Sequence, residues 1–339
     1  MPARETPDTH KKTSMHPTRP HLLGAAAAAS LAPYGLPVAA QAWPSRPVRL
    51  ISPYNAGGSS DILTRVLADF LSARLGQAVV VENRAGAGTR IANDYASKAA
   101  PDGYTLLHAA APIAIGEALY PNLPYDMRKS FEPIVSTAIA PLFLVVNADA
   151  PYKTVAEFVQ WGKANPKGFT FGSPGAGSAP HLTAEMLMRA AGGKGIVVQF
   201  KGDAPAYTEL LAGRIDATLT AISTAVPHVQ AGKLRVLAVA NEKRTPLYPD
   251  APTFVESGLP TVVGYGWYGL MAPAGTPAAI LQRLNTEANA AIQNPEVRKK
   301  AEAAGLQLRG GTAQEFRAFL DSEAKKWSQV IKVAGIKAE

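Results

Sequence analysis

From residue 47 to residue 240 the hydrophobic period changes again and again, and that alternation constrains the fold most. "PVRLISPY" (47–54) is a short apolar run of the kind that forms a buried strand. From Ser60 the apolar positions Ile62, Leu63, Val66, Leu67, Phe70 and Leu71 recur at helical spacing until Gly76 stops them. Strand-like runs then return in "AVVVEN" (78–83), "GYTLLHA" (103–109), "LFLVVN" (142–147), "FTFGS" (169–173), "GIVVQF" (195–200), "IDATLT" (215–220) and "LRVLAVA" (234–240), with helical runs between most of them. Thr154/Glu157, Thr253/Glu256 and Thr312/Glu315 each have the spacing of a capping box, in which Thr and Glu satisfy free first-turn amides. Alternating strands and helices with short connections predict α/β layers on mostly parallel sheets. The strands are too many for one compact sheet, so two lobes are expected.

The N-terminus carries an export signal. Lys11, Lys12 and Arg19 precede the apolar "LLGAAAAASLA" (22–32), and Ala40-Gln41-Ala42 supplies the small residues of a cleavage site, making Trp43 the first mature residue. The residues before Met15 add nothing a signal needs. The apolar stretch is too short and too interrupted by Gly24, Pro33 and Gly35 to span a bilayer. Four basic and two acidic residues leave with it, so the formal charge of +8 becomes +6. The chain has no cysteine, which excludes disulfides and a lipidated cysteine anchor. Its basic residues are scattered rather than blocked or interleaved with aromatics, so a nucleic-acid partner is not expected.

Enzyme signatures are weak. His108, His181 and His228 stand far apart with no second ligand at metal spacing, so neither metal nor cofactor is expected. Gly264–Gly269 matches G-x-G-x-x-G, but it runs into "LMAPAGTP" where a helix should open, and Trp267 and Tyr268 crowd the pyrophosphate's place. The only candidate nucleophile–base pair is His181 with Ser173 or Ser178.

Binding features are stronger. "PYNAGGSSD" (53–61) places two glycines between a strand and a helix, where backbone amides and a helix N-terminus can receive an anion and Ser59 or Ser60 can cap. Gly58 is expected to bring the backbone to the ligand through a positive φ, and Asp61 to order the loop by accepting amide hydrogen bonds. "GSPGAGSAPHLTAEML" (172–187) repeats the design, with a helix from Ala179-Pro180 and His181 in its first turn. "FKGDAPAYTELL" (200–211) is a third such turn. Three of them point to a small anion at converging helix ends.

Several stretches resemble the extracytoplasmic solute receptors of the tripartite tricarboxylate transporters, the Bug family. They are "PVRLISPYNAGGSSDILTRVLADFL" (47–71), "VVVENRAGAG" (79–88), "KAAPDGYTLL" (98–107), "LYPNLPYD" (119–126), "AGKLRVLAVA" (231–240), "APTFVESGLP" (251–260), "APAGTP" (272–277) and "GGTAQEF" (310–316). The resemblance implies a two-lobed, type II-like periplasmic binding protein, an α/β fold with mixed sheets flanked by helices and two interlobe crossovers. Residues 1–42 would be the signal peptide, 43–145 the first part of lobe 1, 146–262 lobe 2, and 263–339 the return to lobe 1. It also implies a monomeric periplasmic receptor that captures a small carboxylate for membrane transporter subunits and catalyses nothing. A secreted hydrolase on the same scaffold, or a receptor signalling to a membrane sensor, is the alternative.

By the same resemblance the ligand meets Tyr54, Asn55, Gly57, Gly58, Ser59 and Asp61 in one lobe, and Ser173, Ser178, His181, Thr220 and Ala221 in the other. Ala109 and Ala110, with Ala111, stand where relatives carry polar residues, and Tyr54-Asn55 replaces a commoner Phe-Pro. Amino-acid-binding members carry an acid where this chain has Thr220-Ala221, so an ammonium group would lack a counter-charge. These departures favour a plain dicarboxylate or aromatic acid over an amino acid or a citrate-like one.

Overall fold

The computed structural model describes residues 43–336 apart from 176, 201 and 202. The signal-peptide reading concerns residues 1–42 and lies outside the described residues. The first lobe begins with β1 (Val48–Ser52), α1 (Ser59–Leu75), β2 (Val79–Asn83), α2 (Arg90–Ser97), β3 (Thr105–Ala110) and α3 (Pro112–Leu119). β1 lies between β2 and β3, parallel to both. The chain then enters β4 (Phe131–Asn147) and the second lobe: α4 (Val155–Ala164), β5 (Phe169–Ser173), α5 (Ala179–Ala190), β6 (Gly195–Gln199), α6 (Asp203–Leu211), β7 (Ala217–Ala221), α7 (Ile222–Gln230) and β8 (Leu234–Val239). Here β5 is parallel to β6 and β7. β9 (Tyr265–Pro273) leads back to α8 (Ala278–Gln293), α9 (Pro295–Ala303), β10 (Gln307–Leu308) and α10 (Ala313–Ala334), which pack on the first lobe against α1, α3 and β4.

β4 joins the lobes. Its first part pairs antiparallel with β9 as far as Pro141 opposite Tyr265, and from Leu142 it pairs antiparallel with β7 and β8. Proline has no N–H to give to a ladder, so the exchange of partners falls where a hydrogen bond is lost in any case. The sheets are therefore mixed, with parallel flanks and antiparallel crossing strands. Sequence reading recognised only the end of β4, because Pro133, Ser136, Thr137 and Pro141 interrupt the apolar pattern of "FEPIVSTAIAP". The G-x-G-x-x-G match lies largely in β9, and its glycines serve close packing: a Cβ on Gly269 would meet the Phe316 ring at 2.0 Å.

The Thr312/Glu315 capping box forms in both halves at the start of α10. At Thr253/Glu256 the two reciprocal bonds also form, at 3.0 and 2.6 Å. At α4 the Thr154 hydroxyl accepts from Glu157 N–H, but the Glu157 carboxylate reaches one residue further, to the Lys153 amide.

His108 on β3 is fully buried between two hydroxyls. Thr64 Oγ1 donates to the Ser60 carbonyl at 2.6 Å, so it must accept from His108 Nδ1, also at 2.6 Å. Nε2 is left to accept from the Thr137 hydroxyl at 2.9 Å. The ring is thus held neutral, and burial pushes its pKa down to about 3. In the unfolded chain the ring would protonate near pH 6.5, so the unfolded state takes up the proton first as pH falls. His108 therefore contributes stability in full above pH 6.5 and loses it progressively toward pH 3. Urea unfolding at a series of pH values should show this loss at up to about 1.4 kcal/mol per pH unit between pH 6 and pH 4. His108→Gln should be less stable at pH 7 but less steep below pH 6; parallel slopes would contradict the assignment.

Candidate functional site: a cavity between the lobes

A cavity of about 590 Å³ opens where β4 and β9 pass between the lobes. Ala140 and Leu142 of β4 and Gly266, Trp267 and Tyr268 of β9 line one wall. The rest is built from helix beginnings. Thr89, Ala111, Ser178 and Ala221 all line the cavity, and they are the N-caps of α2, α3, α5 and α7. Asp203, the first residue of α6, lines it as well. In a parallel β–α unit each helix starts beyond the carboxyl end of its strand, so two facing sheets aim their helix N-termini into one space. Each such end carries about half a positive charge. Among the described residues no lysine or arginine lines the cavity. Among these residues, the positive ends that face it are helix N-termini.

Local sequence explains these ends. Pro112 and Pro180 sit in the first turns of α3 and α5, where a missing N–H costs nothing. The first-turn amides of Ile113 and Ala179 find no acceptor among the described residues. Ser178 caps α5, its hydroxyl accepting from His181 N–H at 3.3 Å. Before α2, Ala87 and Thr89 take positive φ values of 47° and 75°. For a β-branched residue such as Thr89 this is a strained conformation, held at the cavity wall.

Tyr54 and Tyr268 line the cavity, and neither hydroxyl has a protein partner among the described residues. Burial pushes the Tyr54 phenol far up, helped by Tyr268, and pushes Tyr268 up to about 12, helped by the negative charge of Asp203. Both are protonated donors at neutral pH. Tyr268 stacks on His108 with ring centroids 5.7 Å apart, which fixes its face.

Of the residues singled out from sequence, Tyr54, Ser178 and Ala221 line this cavity. Asn55, Gly57 and Gly58 are exposed on the loop before α1. The positive φ expected at Gly58 falls at Gly57 (93°); Gly58 is the extended N-cap of α1, where an added Cβ meets open space. No side chain caps α1, so neither Ser59 nor Ser60 does so. Ser59 Oγ instead reaches across to Ser223 Oγ at 3.4 Å. Asp61 is buried, accepting from the Gly57 amide at 3.0 Å, Arg65 Nε at 2.8 Å and Asn83 Nδ2 at 2.9 Å. Burial works to raise its carboxyl, but these donors outweigh it and hold the group below the ordinary value.

Ala109 and Ala110 are buried in β3, and Ala111 alone of that run meets the cavity. Ser173 Oγ lies 3.2 Å from Ser178 Oγ and donates to the Gly175 carbonyl. His181 Nδ1 accepts from the Gly177 amide at 3.0 Å, and Nε2 lies 3.9 Å from Glu185. The two serines thus bond to each other and to backbone rather than to the histidine ring.

Asp203 was missed. Thr220, buried at the end of β7, donates its hydroxyl to Asp203 Oδ1 at 3.2 Å, and Tyr207 OH lies 2.7 Å from the same Thr220 oxygen. An acid therefore does stand at this strand end, delivered from the neighbouring helix. The signal is the aspartate directly after Gly202 in the third Gly-containing turn, "FKGDAPAY", where the pattern by itself marks no more than a helix start.

Among the described residues no helix is long and apolar enough to cross a membrane, and no three His, Cys, Asp or Glu side chains are grouped to hold a metal. A profile described as "Tripartite tricarboxylate transporter family receptor" matches residues 63–336. Protein BugT of Bordetella pertussis is 36% identical over 303 residues, 89% of this chain and 93% of BugT. The structure of Rpa4515 of R. palustris with adipate superposes with a TM-score of 0.78 at 33% identity, over 87% of this chain and 99% of that one. MatC of Rhodopseudomonas palustris with bound malate gives 0.74 at 29% identity, over 85% and 99%. The family is one of receptors rather than enzymes. The chain belongs to the tripartite tricarboxylate transporter family of receptors.

Proposed function

We propose that this receptor holds a small organic carboxylate in the interlobe cavity, hands it to a membrane transporter from the periplasm, and catalyses no reaction. The observation that carries the reading is the meeting of five helix beginnings at one cavity that no lysine or arginine lines among the described residues. Backbone amides in a site shielded from water neutralise a carboxylate without a counter-ion of their own, and each charge-assisted bond is stronger than a neutral one. Tyr54 and Tyr268 add neutral donors, and Leu142, Ile115 and Trp267 give an apolar body somewhere to lie. Adipate and malate in the two structural neighbours support the carboxylate class. The pairing of the serines with each other supports a receptor over a hydrolase, since a nucleophile needs its base within reach.

A thermal-shift panel of aliphatic and aromatic acids, with neutral amides as controls, tests the class. An acid present at a hundredfold excess over its Kd should stabilise the fold by about 2.7 kcal/mol, a shift of several degrees. The acid recovered afterwards should be chemically unchanged. Equal shifts with acids and amides, or a consumed acid, would contradict the reading.

For the best acid of that panel, Tyr268→Phe and Tyr54→Phe should each weaken binding by about fivefold to tenfold, the worth of one hydrogen bond near 1 kcal/mol. The melting temperature of the ligand-free protein should hardly move, because neither hydroxyl has a partner to lose among the described residues. Calorimetry and unfolding on the same variants separate the two effects. Unchanged affinity in both variants would remove the phenols from the site.

A further inference from the structure

The cavity holds a charge that a site for a plain dianion would not want. Asp203 is its one charged lining side chain among the described residues. Thr220 donates to Oδ1 of this carboxylate, while Oδ2 takes no hydrogen bond from the described residues. The Tyr207 hydroxyl lies beside the Thr220 oxygen, so a chain of hydroxyls, Tyr207 to Thr220 to Asp203, presents the carboxylate as an acceptor. Resting on the carboxylate-receptor reading, we infer that Asp203 is a specificity-determining residue that recognises a cationic nitrogen on the ligand, so that this receptor takes an amino carboxylate in preference to a plain one.

The division of labour follows from where the charges sit. The helix beginnings around Ala111 and Ser178 offer amides to the ligand's carboxylate. Asp203 offers an acceptor, and the rings of Tyr54 and Tyr268 stand in the same cavity, favourable faces for an ammonium group. A second carboxylate placed there would meet a like charge in a partly desolvated space, which is costly. An ammonium placed there satisfies Oδ2 of Asp203, which no described residue bonds. Burial pushes the Asp203 carboxyl up, against the pull of the Thr220 hydroxyl. This reverses the expectation from Thr220-Ala221 alone: the counter-charge is present, carried by α6 instead of β7.

The test uses the purified protein and matched pairs that differ by one ammonium group: adipate with 2-aminoadipate, succinate with aspartate, and hexanoate with 6-aminohexanoate. Calorimetry should give an amino member at least a tenfold lower Kd than its plain partner in at least one pair. Asp203→Asn, which keeps the shape and removes the charge, should lose most of that preference, with the plain acid gaining. A wild-type protein that prefers the plain acid in every pair overturns the inference while leaving the carboxylate reading intact. A preference that survives Asp203→Asn unchanged also overturns it. Failure of every acid, plain or amino, to bind the folded protein overturns the carboxylate reading and this inference with it. The wild-type comparison decides even where Asp203→Asn fails to fold.

Discussion

Five helices begin at one cavity, and the other features of the site answer to that arrangement. It follows from handing each chain segment from a parallel strand to a helix, which leaves the helix amides beyond the strand's carboxyl end. One such sheet makes a crevice with helix ends on one side. Two of them, joined through β4 and β9, make a chamber with helix ends on both. The exchange of partners at Pro141 and Leu142 is what allows a single strand to belong to both sheets. A cavity built this way can take an anion without any cationic side chain, so its walls are free to be aromatic and apolar.

That freedom makes Asp203 meaningful. Concentrated positive ends tolerate one carboxylate of the protein's own, and α6 supplies it at the favourable end of its own dipole. Thr220 and Tyr207 aim it. The same five helix ends can thus hold an acid while one aspartate decides what else that acid must carry.

The sequence made the second lobe's local structure plain and the junction obscure. β5 was read at Phe169–Ser173 as it stands, because a short aromatic and β-branched run bounded by glycines admits little else. β4 and β9 were hidden for opposite reasons. Prolines and hydroxyls broke the pattern of β4, while the close-packed glycines of β9 imitated a phosphate loop. Since those two strands form the cavity wall, the site was legible only in part: Tyr54, Ser178 and Ala221 were within reach, whereas Tyr268 and Thr89 were not. Asp203 escaped for another reason. Its contact with Thr220 spans 17 residues and two elements, and no local pattern marks a side chain that meets its partner only after the sheet has formed.

A crystal structure of the protein with the carboxylate that binds it best tests the convergence of helix ends most directly. The account predicts carboxylate oxygens within about 3 Å of first-turn amides of α3 or α5, with a phenol of Tyr54 or Tyr268 in hydrogen-bond reach and no lysine or arginine touching the ligand. A carboxylate held instead by a basic side chain, or bound outside the cavity on the exposed loop at Asn55–Gly58, would contradict it.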